Sequence, residues 1–168
     1  MTCWRQNRGL GRCLGHDMSD WNTRMINLPD IRQTDRWDGG YAAVKTVLAY
    51  FGQPDPDRSR PPFTADDVEP EDIARVIRQY DLGVACGEMD LLDLKHNCSR
   101  GRPTICFVQL DDFSHFVVCR GVGRGKVYIQ CPLRGRVSVA DGEFLRQWWG
   151  LTRRSKHSQT GISVWERV

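Results

Sequence analysis

Gln33-Thr-Asp-Arg-Trp-Asp-Gly-Gly40 leads directly into an apolar segment, Tyr41-Ala-Ala-Val-Lys-Thr-Val-Leu-Ala-Tyr-Phe51, which stops at Gly52. The apolar run predicts a buried helix that begins after Asp38. A glutamine can donate a hydrogen bond to an oxyanion, and a helix N-terminus lowers the pKa of a thiol. The stretch therefore has the parts that surround a nucleophile in an acyl-transfer site. The residue that follows Asp38 at the predicted start of the helix is Gly39, which has no side chain and can attack nothing.

Four further blocks follow in an order that extends this pattern. They are Arg102-Pro-Thr-Ile-Cys-Phe-Val108, His115-Phe-Val-Val-Cys119, Lys126-Val-Tyr-Ile-Gln130 with Cys131-Pro132, and Glu143-Phe144 with Trp148-Trp149-Gly150. Together with the first stretch they resemble the bacteriocin-processing (double-glycine leader) peptidases, a family of papain-like cysteine peptidases. The resemblance runs from about Leu28 to Gly150. It implies an α+β papain-like fold, in which an N-terminal helical half packs on a C-terminal antiparallel β-sheet.

The resemblance also implies a role for four residues. Gln33 matches the oxyanion position and His115 matches the general base. Gly39 matches the nucleophile, and Cys131 matches the acid that orients the histidine, which in the family is usually an aspartate. Thiol–imidazole catalysis needs a nucleophile in reach of a base and a third group that orients the base. Gly39 and Cys131 depart from the family at the nucleophile and at the group that orients the base, so the resemblance implies a vestigial site in a catalytically inactive homologue.

Two other residues or pairs could supply chemistry in place of Gly39. If Cys131 lies beside His115, the two could form a thiolate–imidazolium pair, although a half-buried thiol at a strand end is the simpler interpretation. Asp38 could act as a carboxylate near the helix start, or it could simply be the N-cap. A metal site made of Asp38, His115 and Cys131 has no ligand-spacing signature, so we expect no metal and no cofactor.

Composition indicates one globular domain of ordinary character. The chain has 168 residues, of which 40% are hydrophobic and 27% charged, and its mean hydropathy is −0.51. The net charge of +3 is spread along the sequence, so we expect no nucleic acid as a partner, and the apolar runs are too short to span a bilayer, so we expect no membrane. The seven cysteines form no CxxC pair, which makes a zinc ribbon or finger unlikely, and their odd number favours a reducing compartment. We expect a cytoplasmic protein, or part of a virion assembled there, that is not secreted by a signal peptide.

The chain divides into an N-terminal arm, residues 1–27, and a papain-like domain, residues 28–168. The arm carries Trp4 and Trp21 as possible anchors for a partner. Within the domain, capping, periodicity and turn residues predict helices and strands. The further predicted helices are Glu69–Tyr80, Glu88–Lys95 and Asp141–Trp149; the predicted strands are Thr104–Leu110, Phe116–Arg120, Lys126–Gln130, Arg136–Val139 and a final edge strand at Ile162–Val168. Gly121-Val-Gly-Arg-Gly125 is predicted as a hairpin turn.

Two classes of function remain open at this point. The first is a binding or structural module, because a groove and an edge strand can hold an extended peptide without a nucleophile. Its partner would be a protein or a peptide, and a larger assembly such as a bacteriophage virion or tail is one setting, by analogy alone. The alternative is an active cysteine hydrolase or peptidase with a rewired site that uses Cys131 and His115. The sequence does not predict the oligomeric state.

Overall fold

A computed structural model of the protein describes residues 23–65, 67–110, 113–148 and 158–168. These residues form four helices and six strands. Their bounds are α1 Gly39–Tyr50, α2 Pro70–Ile77, β1 Leu82–Glu88, α3 Leu91–Ser99, β2 Thr104–Leu110, β3 Phe113–Gly123, β4 Lys126–Cys131, β5 Gly135–Ala140, α4 Asp141–Trp148 and β6 Thr160–Glu166.

The six strands form one sheet in the order β1-β6-β2-β3-β4-β5, and every neighbouring pair is antiparallel. The chain therefore has the predicted α+β fold, with helices ahead of most of the sheet. The prediction of an edge strand at the C-terminal end is wrong, because β6 lies between β1 and β2. In the described part of the chain the sheet edges are β1 and β5.

Helix α1 is the central helix of the fold and begins at the residue that matches the nucleophile position. It packs against β3 and α2 and buries a small apolar face that includes Ala43, Val44 and Leu48. Small side chains on this face let the helix lie close to the sheet. The helix ends as predicted, because Gly52 has a φ of +67° and takes the left-handed conformation that follows a helix C-terminus.

The region between α1 and β2 differs most from the sequence prediction. Helix α2 ends at Ile77 rather than Tyr80. Helix α3 begins three residues later than predicted, because Asp90 and Asp93 form a reciprocal capping box. Leu82–Glu88 form β1, a strand that the sequence did not predict and that pairs along its whole length with β6.

The end of the N-terminal arm packs on the sheet, while residues 1–22, with both arm tryptophans, lie outside the described residues. Ile26 is buried, and its N–H donates to the Arg120 carbonyl oxygen at 2.8 Å. The predicted turn at 121–125 is shorter than expected, because β3 continues to Gly123 and only Arg124 and Gly125 make the turn, both with positive φ. A Cβ atom at Gly121 would clash with Met25, and one at Gly123 would clash with Thr23. Glycine at these two positions therefore leaves room for the end of the arm to pack on β3. The boundary of the arm at residue 27 stays a prediction.

Candidate functional site

Three of the four residues that the resemblance singled out converge at the start of α1. A Cβ atom built on Gly39 would lie 2.9 Å from His115 Nδ1 and 3.4 Å from Gln33 Oε1. Gly39 is the first residue of α1, His115 lies on β3, and Gln33 lies in the loop before the helix. The imidazole thus occupies space into which a nucleophilic side chain at position 39 would extend.

Asp38 takes the N-cap position of α1 but does not cap the helix with its side chain. Its carboxylate accepts hydrogen bonds from the Thr34 hydroxyl at 2.6 Å and from the Arg58 guanidinium at 2.6 Å. The side chain is only 10% exposed. Arg58 also pairs with Asp35 at 2.7 Å, so it clamps the Pro-rich loop onto the residues before α1. The Asp38 carboxylate is therefore engaged in an ion pair that holds the loop.

The His115 imidazole is almost completely buried, with 4% of the residue exposed. Burial disfavours the charged ring and lowers the pKa of His115 from 6.5 to about 4. At neutral pH the ring is therefore uncharged. Its Nδ1 faces Gly39 and its Nε2 lies 3.7 Å from Cys131 Sγ. His115 is thus placed between the nucleophile position and the orienting position, as a catalytic histidine would be.

Cys131 ends β4 and is 1% exposed. Burial raises the pKa of its thiol above the usual 9.0. A thiolate–imidazolium pair requires the pKa of the thiol to lie below that of the imidazolium. Here burial raises the pKa of Cys131 and lowers that of His115, which is the reverse of this requirement. The arrangement favours a neutral thiol beside a neutral ring. The thiol lies on the Nε2 side of the ring, whereas Gln33 and Gly39 lie on the Nδ1 side.

Gln33 is fixed by the loop that carries it. Its backbone N–H donates to the Pro132 carbonyl oxygen at 3.0 Å, which ties this loop to the end of β4. Its Nε2 donates to the Asp35 carbonyl oxygen at 2.8 Å, and its Oε1 is buried without a hydrogen-bond partner. The amide therefore turns an acceptor toward Gly39. It would have to rotate by half a turn before its Nε2 could donate to an oxyanion there.

An open cavity of about 580 Å³ lies over this site. Its wall includes Gly39 and His115 together with four aromatic residues, which are Trp37, Phe107, Phe113 and Phe116. Trp37 is 76% exposed, and the Arg36 guanidinium lies 5.3 Å from the centre of its ring. We call this cavity the cleft. Cys131 is not among its lining residues in the described part of the chain.

Sequence reasoning missed two components of the site. Phe113 could have been found, because it lies two residues before His115 on one strand and residues at that spacing share a face. Arg58 carried no signal, because it lies in a Pro-rich loop and pairs with residues that are 20 and 23 positions away. In the part of the chain that the structure describes, no three potential metal-ligating side chains cluster together. None of the described helices is long and apolar enough to cross a membrane.

Solved structures with the same fold are peptidase domains. The peptidase domain of Streptococcus ComA, a bi-functional ABC transporter involved in quorum sensing, matches with a TM-score of 0.66 and 15% identity over 84% of this chain and 99% of that chain. A C39-like peptidase from Bacillus anthracis matches with a TM-score of 0.66 and 16% identity over 87% and 98%. A double glycine motif protease from an AMS/PCAT transporter, solved with a leader peptide, matches with a TM-score of 0.59 and 20% identity over 83% and 92%.

These similarities show a papain-like peptidase fold. The family is shown by a match of the sequence to a family model. No curated protein matches the chain significantly. The family model for the peptidase C39 family matches residues 27–154, which is most of the chain and includes all four residues of the site. On this match, and with a fold shared with C39 peptidase domains, the chain belongs to the peptidase C39 family.

Proposed function

We propose that this protein is a catalytically inactive peptidase homologue that works as a binding or structural module. The observation that carries the proposal is the start of α1, where the residue at the nucleophile position is Gly39 and the His115 imidazole lies within 2.9 Å of where its Cβ would be. Without a side chain at this position there is no covalent route to an acyl-enzyme. A base and an oxyanion donor alone give only a small fraction of the acceleration of a complete site.

A second candidate is a hydrolase with a rewired site, and the 3.7 Å contact between Cys131 and His115 favours it. Three observations weigh against it. The Cys131 thiol is buried, its pKa is raised, and it lies outside the cleft where a substrate would lie. We therefore place it second.

Site-resolved thiol labelling distinguishes the two candidates. The protein is treated with iodoacetamide at neutral pH, and the modification of each cysteine is followed by peptide mass spectrometry. We expect Cys131 to react no faster than Cys86, a partly buried thiol whose pKa burial and Glu71 raise to about 11. Fast, selective labelling of Cys131 that disappears in His115→Ala would overturn the proposal of an inactive homologue and favour the hydrolase with a rewired site.

The binding role that we propose is the capture of an extended peptide in the cleft. The strand β2 pairs with β6 from Thr104 to Cys106, and Phe107 and Gln109 in its second half line the cleft. A peptide could lie in the cleft beside this part of β2 while its side chains contact Trp37 and Phe113. The double glycine motif protease noted above was solved with a leader peptide, which supports peptide binding as a use of this fold.

Cleft binding is tested with immobilised random peptides and two matched variants. Trp37→Ala removes an aromatic side chain from the cleft wall, and Leu92→Ala removes a similarly exposed apolar side chain, 72% exposed, from α3. We expect the wild-type protein and Leu92→Ala to retain the same peptides and Trp37→Ala to lose them. Equal retention by all three proteins would show that the peptides do not bind in the cleft.

We further propose that the module serves inside a larger assembly, and a bacteriophage virion or tail is the setting that we favour, on analogy alone. Quantitative mass spectrometry of purified particles provides the test. A fixed copy number of this chain per particle is the expected result, and its loss on washing the particles would contradict a structural role.

A further inference from the structure

A second cavity lies at the opposite end of α1 from the cleft. It has a volume of about 510 Å³, and its wall includes Arg24, Arg100, Arg102, Tyr50 and Trp165. We call it the arginine pocket. It lies at the C-terminal end of α1, where Tyr50 is the last helical residue, whereas the cleft lies at Gly39. A helix of 12 residues is about 18 Å long, so the two cavities are separate.

The three arginines of the pocket have no carboxylate partner among the described residues. Arg24 donates to the Ser99 carbonyl oxygen at 3.0 Å, and the described residues offer its other N–H groups no acceptor. Elsewhere on this surface arginines are neutralised in pairs, for example Arg75 with Asp72 at 2.9 Å and Arg78 with Glu71 at 2.6 Å. The pocket therefore brings together three guanidinium groups, and Glu166 is the one acidic side chain among its lining residues in the described part of the chain.

One of these guanidinium groups is held in place by an aromatic ring. Arg102 lies over Trp165 with its Cζ 5.0 Å from the ring centre. The indole is itself fixed, because it packs directly over Gly83, where no Cβ would fit. Tyr50 donates to the Gly101 carbonyl oxygen at 3.3 Å and so holds the turn that carries Arg100 and Arg102. A stacked guanidinium loses little freedom when it pairs with a carboxylate, and the planar fork can bind both carboxylate oxygens.

We propose that the arginine pocket binds an acidic segment of a partner protein, with carboxylates paired to Arg100 and Arg102. A nucleic acid is the less suitable occupant. Its phosphates repeat at a fixed spacing and need an extended basic track, whereas this pocket is compact and has the carboxylate of Glu166 in its wall. A peptide can place one or two carboxylates at the arginines and a neutral side chain beside Glu166.

Binding is measured by the fluorescence anisotropy of a labelled oligoglutamate peptide at low ionic strength, with oligolysine as the peptide control and oligothymidylate as the nucleic acid. We expect oligoglutamate to bind and oligolysine not to bind, and the affinity to fall with added salt. The double variant Arg100→Ala with Arg102→Ala should weaken oligoglutamate binding by about tenfold or more, because two charge-assisted hydrogen-bond pairs are lost. Arg100→Glu alone, at an exposed position, serves if the double variant does not fold.

Two further variants locate the site. Arg146→Ala removes an exposed arginine of α4, which also has no ion pair among the described residues, so it controls for the loss of net charge. Arg60→Ala removes an exposed arginine of the Pro-rich loop that lines neither the cleft nor the arginine pocket. Both should bind oligoglutamate as the wild-type protein does. Four results would each overturn the proposal. The arginine pocket variants could bind oligoglutamate as tightly as the wild-type protein, or a control variant could lose as much affinity as they do. The wild-type protein could fail to bind oligoglutamate, or it could bind oligothymidylate more tightly.

Discussion

Acidification should destabilise the protein through His115. The pKa of this imidazole is about 4 in the folded protein and near the ordinary 6.5 once the chain unfolds and hydrates the ring. Between these two values the unfolded chain binds more protons than the folded protein, so the free energy of unfolding falls as the pH falls through this window. One pKa unit corresponds to about 1.4 kcal/mol, so the full loss by pH 4 is about 3 kcal/mol. Above pH 6.5 the effect is absent.

The assay is urea unfolding, measured at closely spaced pH values from below 4 to above 7. Carboxylates also titrate at the lower end, so the quantity to compare is the difference between the wild-type protein and His115→Gln, which cannot be protonated. The variant should lose less stability than the wild-type protein between pH 6.5 and 4. His96→Gln, which removes an exposed histidine of α3, should follow the wild-type curve. Parallel curves for the wild-type protein and His115→Gln would refute the idea that burial holds the ring neutral.

Three further predictions concern the site and the helix ends. Cys131→Asp should raise the pKa of His115 above 4, measured by NMR titration, because a carboxylate beside Nε2 stabilises the imidazolium; an unchanged value would contradict the 3.7 Å contact. Gly39→Cys combined with Cys131→Asp should give a thiol at position 39 that reacts with iodoacetamide faster than in Gly39→Cys alone, and a folded but unreactive double variant would count against the site. Gly52→Ala should lower the free energy of unfolding by about 1 kcal/mol, because alanine is strained at a φ of +67°. Gly142→Ala, where a Cβ also meets open space but φ is not positive, should instead raise the free energy of unfolding by about 0.5 kcal/mol, and a loss at both positions would contradict the argument.

Much of the fold could be predicted because its signals are local. Strand β2 was predicted with its bounds, Thr104–Leu110, because it is an apolar run between turn residues. The convergence of Gln33, Gly39 and His115 followed from the order of the sequence blocks and the family that they resemble, and the structure places all three within reach of one point.

The parts that could not be predicted depend on contacts between distant residues. Strand β1 contains two glycines and no clear alternation, and it forms because β6 pairs along its whole length. Gly83 is needed there only because Trp165 packs over it, which nothing near Gly83 in the sequence indicates. The amide orientation of Gln33 likewise depends on the Asp35 carbonyl oxygen, a detail of loop conformation rather than of residue type.

The position of His115 between residues 39 and 131 also has a consequence for sequence variation. The two residues are 92 positions apart, yet they face opposite nitrogens of one buried ring. A side chain at position 39 has to displace the His115 ring by a few tenths of an ångström. Whether the displaced ring then has a hydrogen-bond partner at Nε2 depends on the residue at position 131. The effect of a substitution at either position therefore depends on the other. Among relatives of this chain, we expect the residues at these two positions to change together rather than independently.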